Sequence, residues 1–333
     1  MMTKKTLFPL VSLFILTFLL TSKTQAKIWR VNNSVGVNAD FKTLNTALSS
    51  NTVLSGDTVY VEGSDLKYDL AYLTKKLVII GPGYNLGGEG NADLQHNDKV
   101  ADIYIALSDS LASGSTFLGL VGRLSVHPAI DDMTISRCNV TWADYSSKAG
   151  SIYQNISITK SIINIYSNNV FNNLYFANNI VNTSGGISKA LNSIIRNNIF
   201  TVSLDAQASY VSNNIFITLN VLKLTNCTVK NNIASNNLLP AGDNNQNNIP
   251  ATDLFVGGPN IDGKYKLKTG SPAIASGETI NGVTPDAGIF GTADPYRLSG
   301  IPAIPTIYQL TVPANVPASA TQMTITFSTR SNN

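Results

Sequence analysis

Ala177-Asn178-Asn179-Ile180, Arg196-Asn197-Asn198-Ile199, Ser212-Asn213-Asn214-Ile215 and Lys230-Asn231-Asn232-Ile233 are four copies of one phrase: an outward residue, two polar residues, then an aliphatic. Two looser copies precede them, Arg137-Cys138-Asn139-Val140 and Lys160-Ser161-Ile162-Ile163. Aligned on their first members, the six are spaced by 23, 17, 19, 16 and 18 residues. That period is too short for a strand, a helix and their loops, but it suits one coil of a β-solenoid built from two or three brief strands.

The residues between the copies support this reading. Ile156-Ser157-Ile158, Ile163-Asn164-Ile165 and Val221-Leu222-Lys223-Leu224 alternate apolar and polar with the period of a strand that buries one face. Asparagine tolerates left-handed backbone angles and can turn the corner between strands. Stacked at one corner of successive coils, its amide can donate to and accept from the copies above and below, forming a ladder. An asparagine-rich disordered segment would lack the regularly interspersed aliphatics.

Upstream, Lys4 and Lys5 precede an apolar run from Leu7 to Leu20, with Thr24-Gln25-Ala26 offering small residues for cleavage. This predicts an export leader over residues 1–26 and a destination outside the cell, on its surface or in the periplasm. The run is short for a membrane span and no later stretch approaches one, so no membrane span is expected. The chain of 333 residues is 43% hydrophobic, 13% charged and carries a net charge of +3. That balance fits an exported β protein rather than a helical bundle, and no nucleic-acid partner is expected. In the repeat register Cys138 and Cys227 lie about five coils apart, roughly 24 Å at ~4.8 Å per coil, so they are expected as free, buried core residues.

Asp40 to Leu48 reads as an amphipathic helix with Phe41, Leu44 and Leu48 on one face and Asp40 as its cap, placed to cover the open first coil. Strands are expected at Thr58–Val61 and Leu77–Ile80, a long loop at Asn85–Lys99, and the last coils at Phe255–Gly291. The domain division is a leader over 1–26, a solenoid over 27–295, and a Pro-rich segment over 296–333 whose strand Gln322–Phe327 packs on the rest.

Two groups of segments carry a family likeness. Gly56-Asp57-Thr58-Val59-Tyr60-Val61, Leu77-Val78-Ile79-Ile80-Gly81-Pro82-Gly83-Tyr84 and Met133-Thr134-Ile135-Ser136-Arg137-Cys138 resemble the secreted right-handed parallel β-helix proteins of the pectate-lyase-like superfamily. Ser271-Pro272-Ala273-Ile274, Asp286-Ala287-Gly288-Ile289-Phe290-Gly291 and Ile304-Pro305-Thr306-Ile307-Tyr308 resemble the closing segment of such proteins from Bacteroidetes. The resemblance implies an all-β, right-handed, single-stranded parallel β-helix with an N-terminal capping helix. It implies little about activity, since one fold hosts many functions.

Lyases of that superfamily use acidic residues on neighbouring coils to hold Ca²⁺, with an Arg or Lys as base, and its hydrolases use clustered aspartates. Both need carboxylates one coil apart on one face. From Tyr145 to Gly242 the only acidic residue is Asp205. Asp131, Asp132 and Arg137 are the remaining catalytic candidates, and Ca²⁺ would enter only with that lyase alternative. His96 and His127 have no metal spacing and no partner serine. No cofactor and no metal are expected.

Charge placement then suggests ligand-binding residues. Arg137, Lys160, Arg196 and Lys230 occupy the first position of the phrase, and one outward row of them, about 24 Å long, would suit an acidic polysaccharide lying along the solenoid. The expected function is an exported, non-catalytic β-helix engaging a polysaccharide or cell-surface glycan. The alternatives are a polysaccharide lyase or glycoside hydrolase with an atypical site, and a structural or adhesive surface protein.

Overall fold

The computed structural model of the protein describes residues 26–87, 98–145, 150–182, 185–217 and 221–331. Residues 1–25 of the expected leader, His96 and most of the Asn85–Lys99 loop lie outside them. The chain coils into a parallel β-solenoid whose described strands form three sheets, of ten, nine and five strands. Each central coil visits them in turn. Thr134–Ser136 lies in sheet 1, Asn139–Asp144 in sheet 2 and Ile152–Gln154 in sheet 3, and the next coil re-enters sheet 1 at Ser157–Thr159. All pairings within these sheets are parallel, as in Ser157↔Thr134 and Ser157↔Tyr175.

The interior is filled by the inward residue of each three-residue strand. Ile135, Ile158, Phe176, Ile195 and Val211 stack in register on sheet 1, each fully buried. Phe200 and Phe216 stack at 5.3 Å on sheet 2, and Trp142 packs edge-on against Tyr153 and Phe171.

Two corners flank sheet 1, and both are turned by residues with positive φ. One column runs Asp132, Asn155, Asn173, Asn192, Ala208 and Asn226, and the other Arg137, Lys160, Asn178, Asn197, Asn213 and Asn231. Each residue sits at the same place before or after its strand, so one backbone turn repeats at every coil. Asparagine dominates because it enters the left-handed region at little cost; Arg137 and Lys160 lack that ease.

The expected amide ladder lies one residue further on. Asn179, Asn198, Asn214 and Asn232 are fully buried. The Asn198 N–H and Nδ2 both donate to Asn214 Oδ1, at 3.0 and 2.9 Å, while Asn198 Oδ1 accepts from the Asn179 N–H and Nδ2. The column ends on Asn245 and continues upward as Ser161, whose hydroxyl accepts from the Cys138 N–H. Cys138 is thus buried, and burial pushes its thiol up to about 12. Cys227 is free but only partly buried, because it lies beside the last, open strand of sheet 3.

Several expectations are corrected. The helix spans only Leu44–Ser49 and is capped by Thr43, whose hydroxyl accepts from the Thr46 N–H. Asp40 instead accepts from the Arg30 N–H, and Phe41 pairs with Val31 as an extra strand residue. Leu44, Ala47 and Leu48 are buried, and the helix packs against Ile28–Val31 and Leu70–Leu73, the end strands of sheets 1 and 2.

Phe255–Gly291 forms no coils. After a last partial coil that pairs Ile233 with Gln246, the chain runs back along the outside of the solenoid as a strap of turns and short helices. Its Leu254, Phe255, Tyr265, Ala273, Ala287, Ile289 and Tyr296 form a second core with Ile162, Ile180, Ile199, Ile215 and Ile233. Ile180, Ile199, Ile215 and Ile233 are the aliphatic of the repeated phrase, Ile162 pairs with Ile180 in the same column, and all five point out of the solenoid. Each is worth about 1.5–3 kcal/mol when buried rather than exposed, so the strap is integral to stability.

Beyond it, Thr306–Thr311 and Thr326–Arg330 pair as an antiparallel ribbon. Ile307, Leu310 and Phe327 remain about 60% exposed, so this segment does not pack down as expected.

Candidate functional site

The four basic residues do not form one row. Strand pairing aligns Arg196 with Ala177 and Ser212, and Ser212 with Lys230, whereas Arg137 and Lys160 follow the strand ends aligned with these and fall in the neighbouring column, that of Asn197. Aligning the phrases on their basic residue shifts the first two copies by one position, and on a strand one position changes the face.

Three of the four charges are held by the strap. Arg137 is only 7% exposed and donates from Nη1 to the Ile301 carbonyl at 2.8 Å; burial lowers its pKa, opposed by Asp294. Lys160 pairs with Asp294. Lys230 pairs with Glu278 at 2.6 Å, and hydrogen bonds to Glu278 and Tyr210 raise its pKa. Burial acts to raise the Glu278 pKa, but hydrogen bonds from Lys230 and Tyr210 outweigh it and leave the carboxyl below its ordinary value. Arg196 alone makes no ion pair within 4 Å among the described residues; its Nη2 donates to the Tyr175 hydroxyl at 2.9 Å.

The strap is gripped by the corner asparagines. Asn178 Nδ2 donates to the Ile289 carbonyl at 2.9 Å and Asn231 Nδ2 to Ser276 at 3.1 Å, while Asn213 Oδ1 accepts from the Glu278 N–H at 2.8 Å. The two asparagines of the phrase therefore divide the labour: the first binds the strap, the second the ladder.

Asp131 and Asp132 stand at one end of strand Thr134–Ser136 and Arg137 at the other, five residues and so roughly 16 Å from Asp132. Asp131 accepts from the Gln154 N–H and Asp132 from Asn155 Nδ2, both at 2.8 Å, which stitches them into the corner below. The structure does not bring the three together. His127 Nδ1 accepts from the Ala129 N–H within its own turn. Among the described residues no group of three or more His, Cys, Asp or Glu side chains is placed to hold a metal ion, and no helix is long and apolar enough to cross a membrane.

The opening that the sequence did not point to lies where sheet 2 turns into sheet 3. A cleft of about 670 Å³ is lined by Tyr166, Ser167, Asn168, Ser188, Thr201 and Ser203, with Gly185 and Gly186 in its wall. Those glycines are required there by close approach: a Cβ on Gly185 would stand 2.6 Å from the Ile165 carbonyl oxygen, and one on Gly186 2.2 Å from that of Ser203. Tyr166 is 47% exposed at the cleft. Strand register places it in one column with Tyr72, four strand spacings or roughly 19 Å away, and beside the column of Tyr104 and Arg123, whose guanidinium lies 5.5 Å from the Tyr104 ring centre. Hydroxyl and amide groups beside a half-exposed aromatic ring can hydrogen-bond to one edge of a ligand and stack on its flat apolar face.

No family model matches the chain, and neither the curated proteins nor the solved structures contain a match to it.

Proposed function

We propose that this protein is an exported, non-catalytic β-solenoid that binds a polysaccharide at the cleft between sheets 2 and 3, with the ligand chain extending along the tyrosines of sheet 2. The observation that carries the reading is the lining of the cleft. Its described walls offer hydroxyls, amides and the Tyr166 ring, and no Asp, Glu, Lys, Arg or His side chain. Such a lining suits uncharged sugar rings, and it lacks the acid and partner carboxylate that glycoside cleavage normally needs. Export is supported by the leader pattern of residues 1–26. A right-handed helix of the pectate-lyase-like kind is supported by the segments quoted above and by the stacked asparagines of the corner.

The test is retention of the protein in gels containing neutral and acidic polysaccharides, run beside an assay for new reducing ends and unsaturated uronic products. Retention by a neutral polymer without product supports the reading. Product formation would overturn it.

A further inference from the structure

We infer that a second ligand site, on a different face from the sheet 2 cleft and independent of it, lies between the strap and the corner after sheet 1, and takes a carboxylate carried on an apolar body. The groove there has a volume of about 670 Å³. Its floor is Arg196, Asn197 and Asn213 from two successive coils of the repeat, and its rim is the strap from Ile280 to Ala293.

The rim is a small hairpin. Ile280 and Val283 exchange both backbone hydrogen bonds, at 3.0 Å each, around Asn281 and Gly282, which both adopt positive φ. A two-residue turn of this kind is rigid, and it holds Ile280 51% and Val283 69% exposed. With Pro285 and Phe290 these side chains give the groove an apolar wall, although the strap has a buried core available to it a few residues away. Exposed aliphatics held in place on a rigid turn are suited to contact with something outside the chain.

The floor supplies one charge. Arg196 Nη2 is used by Tyr175, its Nε is buried without a hydrogen-bond partner, and Nη1 makes no hydrogen bond among the described residues. Glu278 has one oxygen on Lys230 and the other on the Tyr210 hydroxyl, and Asp286, itself on the groove's rim, turns one oxygen to the Ala275 N–H at 2.9 Å. A guanidinium without a contacting anion is the group that best recognises a carboxylate. Together, wall and floor describe an amphipathic monoanion.

The experiment is calorimetric titration of the full protein with hexanoate, 1-hexanol and galacturonate. Hexanoate is expected to bind with a dissociation constant on the order of 1 mM, well within what a ligand of so few heavy atoms can give. Hexanol, lacking the charge, and galacturonate, lacking the apolar body, are each expected to bind at least tenfold more weakly. Arg196→Gln should weaken hexanoate about tenfold. Val283→Ser, on an exposed turn where folding is not at stake, should weaken it several-fold, and both variants are checked by thermal unfolding. No hexanoate binding, equal binding of hexanol or galacturonate, or unchanged affinity in Val283→Ser would each overturn the proposal.

Discussion

Asn198 hands two of its three amide hydrogens, one from the backbone and one from the side chain, to a single oxygen of Asn214, at 3.0 and 2.9 Å. Its other side-chain hydrogen serves the Phe176 and Arg196 carbonyls, and its own oxygen receives the Asn179 pair. No hydrogen-bonding atom of this fully buried amide is left unused.

Asn198→Leu should therefore cost about 2–4 kcal/mol in chemical denaturation, because it strands buried donors on Asn179 and a carbonyl above. Arg196→Ser, two residues away, should cost well under half as much, since that side chain makes one hydrogen bond. Equal costs would show that the ladder lies at another position.

The outward isoleucines make a separate prediction. Ile199 points away from the solenoid interior yet is fully buried by the strap, so Ile199→Ala should cost about 2–4 kcal/mol. Ile194→Ala, 44% exposed on the outside of sheet 1, should cost less than about 1 kcal/mol. Similar losses at both positions would mean that the strap does not cover the Ile199 column.

Asn178 allows geometry and bonding to be separated. Asn178→Gly keeps a residue at ease with a φ of +58° but removes the hydrogen bond to the Ile289 carbonyl, whereas Asn178→Ala loses both. Faster amide exchange in the strap is expected in both variants. Additional global destabilisation of about 1 kcal/mol is expected only in the alanine variant. Exchange in the strap that does not change in either would remove its assigned role.

Acid should loosen the strap through Glu278. Its folded pKa lies below the ordinary 4.5, so the unfolded chain binds more protons across that interval. Stability contributed by this carboxylate is therefore complete above about pH 4.5 and is lost as pH falls through the lower folded value. Thermal midpoints measured from neutral pH downward should show a smaller fall for Glu278→Gln than for the unaltered protein. Parallel curves would place the acid sensitivity elsewhere.

How much of this was legible in the sequence depends on periodicity. The coils, the ladder at Asn198 and the corner role of asparagine all follow from a pattern that repeats every 16 to 23 residues. The strap has no period, since it meets the coils through unlike residues at irregular spacing, as where Tyr265, Ile289 and Thr292 all bond to the Asn178–Asn182 coil, and so Phe255–Gly291 reads as more coils. One signal for it was present. Ile180-Val181, Ile199-Phe200 and Ile215-Phe216 are adjacent apolar pairs, and neighbours on a strand face opposite ways, so both faces of sheet 2 had to be covered there. The basic row failed for a related reason. Arg137 and Lys160 stand where later coils have asparagine, and aligning them by charge instead of by backbone turn moved them to the wrong face. The cleft was invisible because Ser, Thr and Asn there differ in no way from those of any other turn.

Polysaccharide binding is assigned to the sheet 2 cleft and not to the basic residues, and gel retention by a bound polysaccharide distinguishes the two directly. Tyr166→Ala is predicted to abolish most of the retention, while the double variant Lys160→Ser, Arg196→Ser is predicted to keep it. Retention lost in the double variant and preserved in Tyr166→Ala would contradict the account.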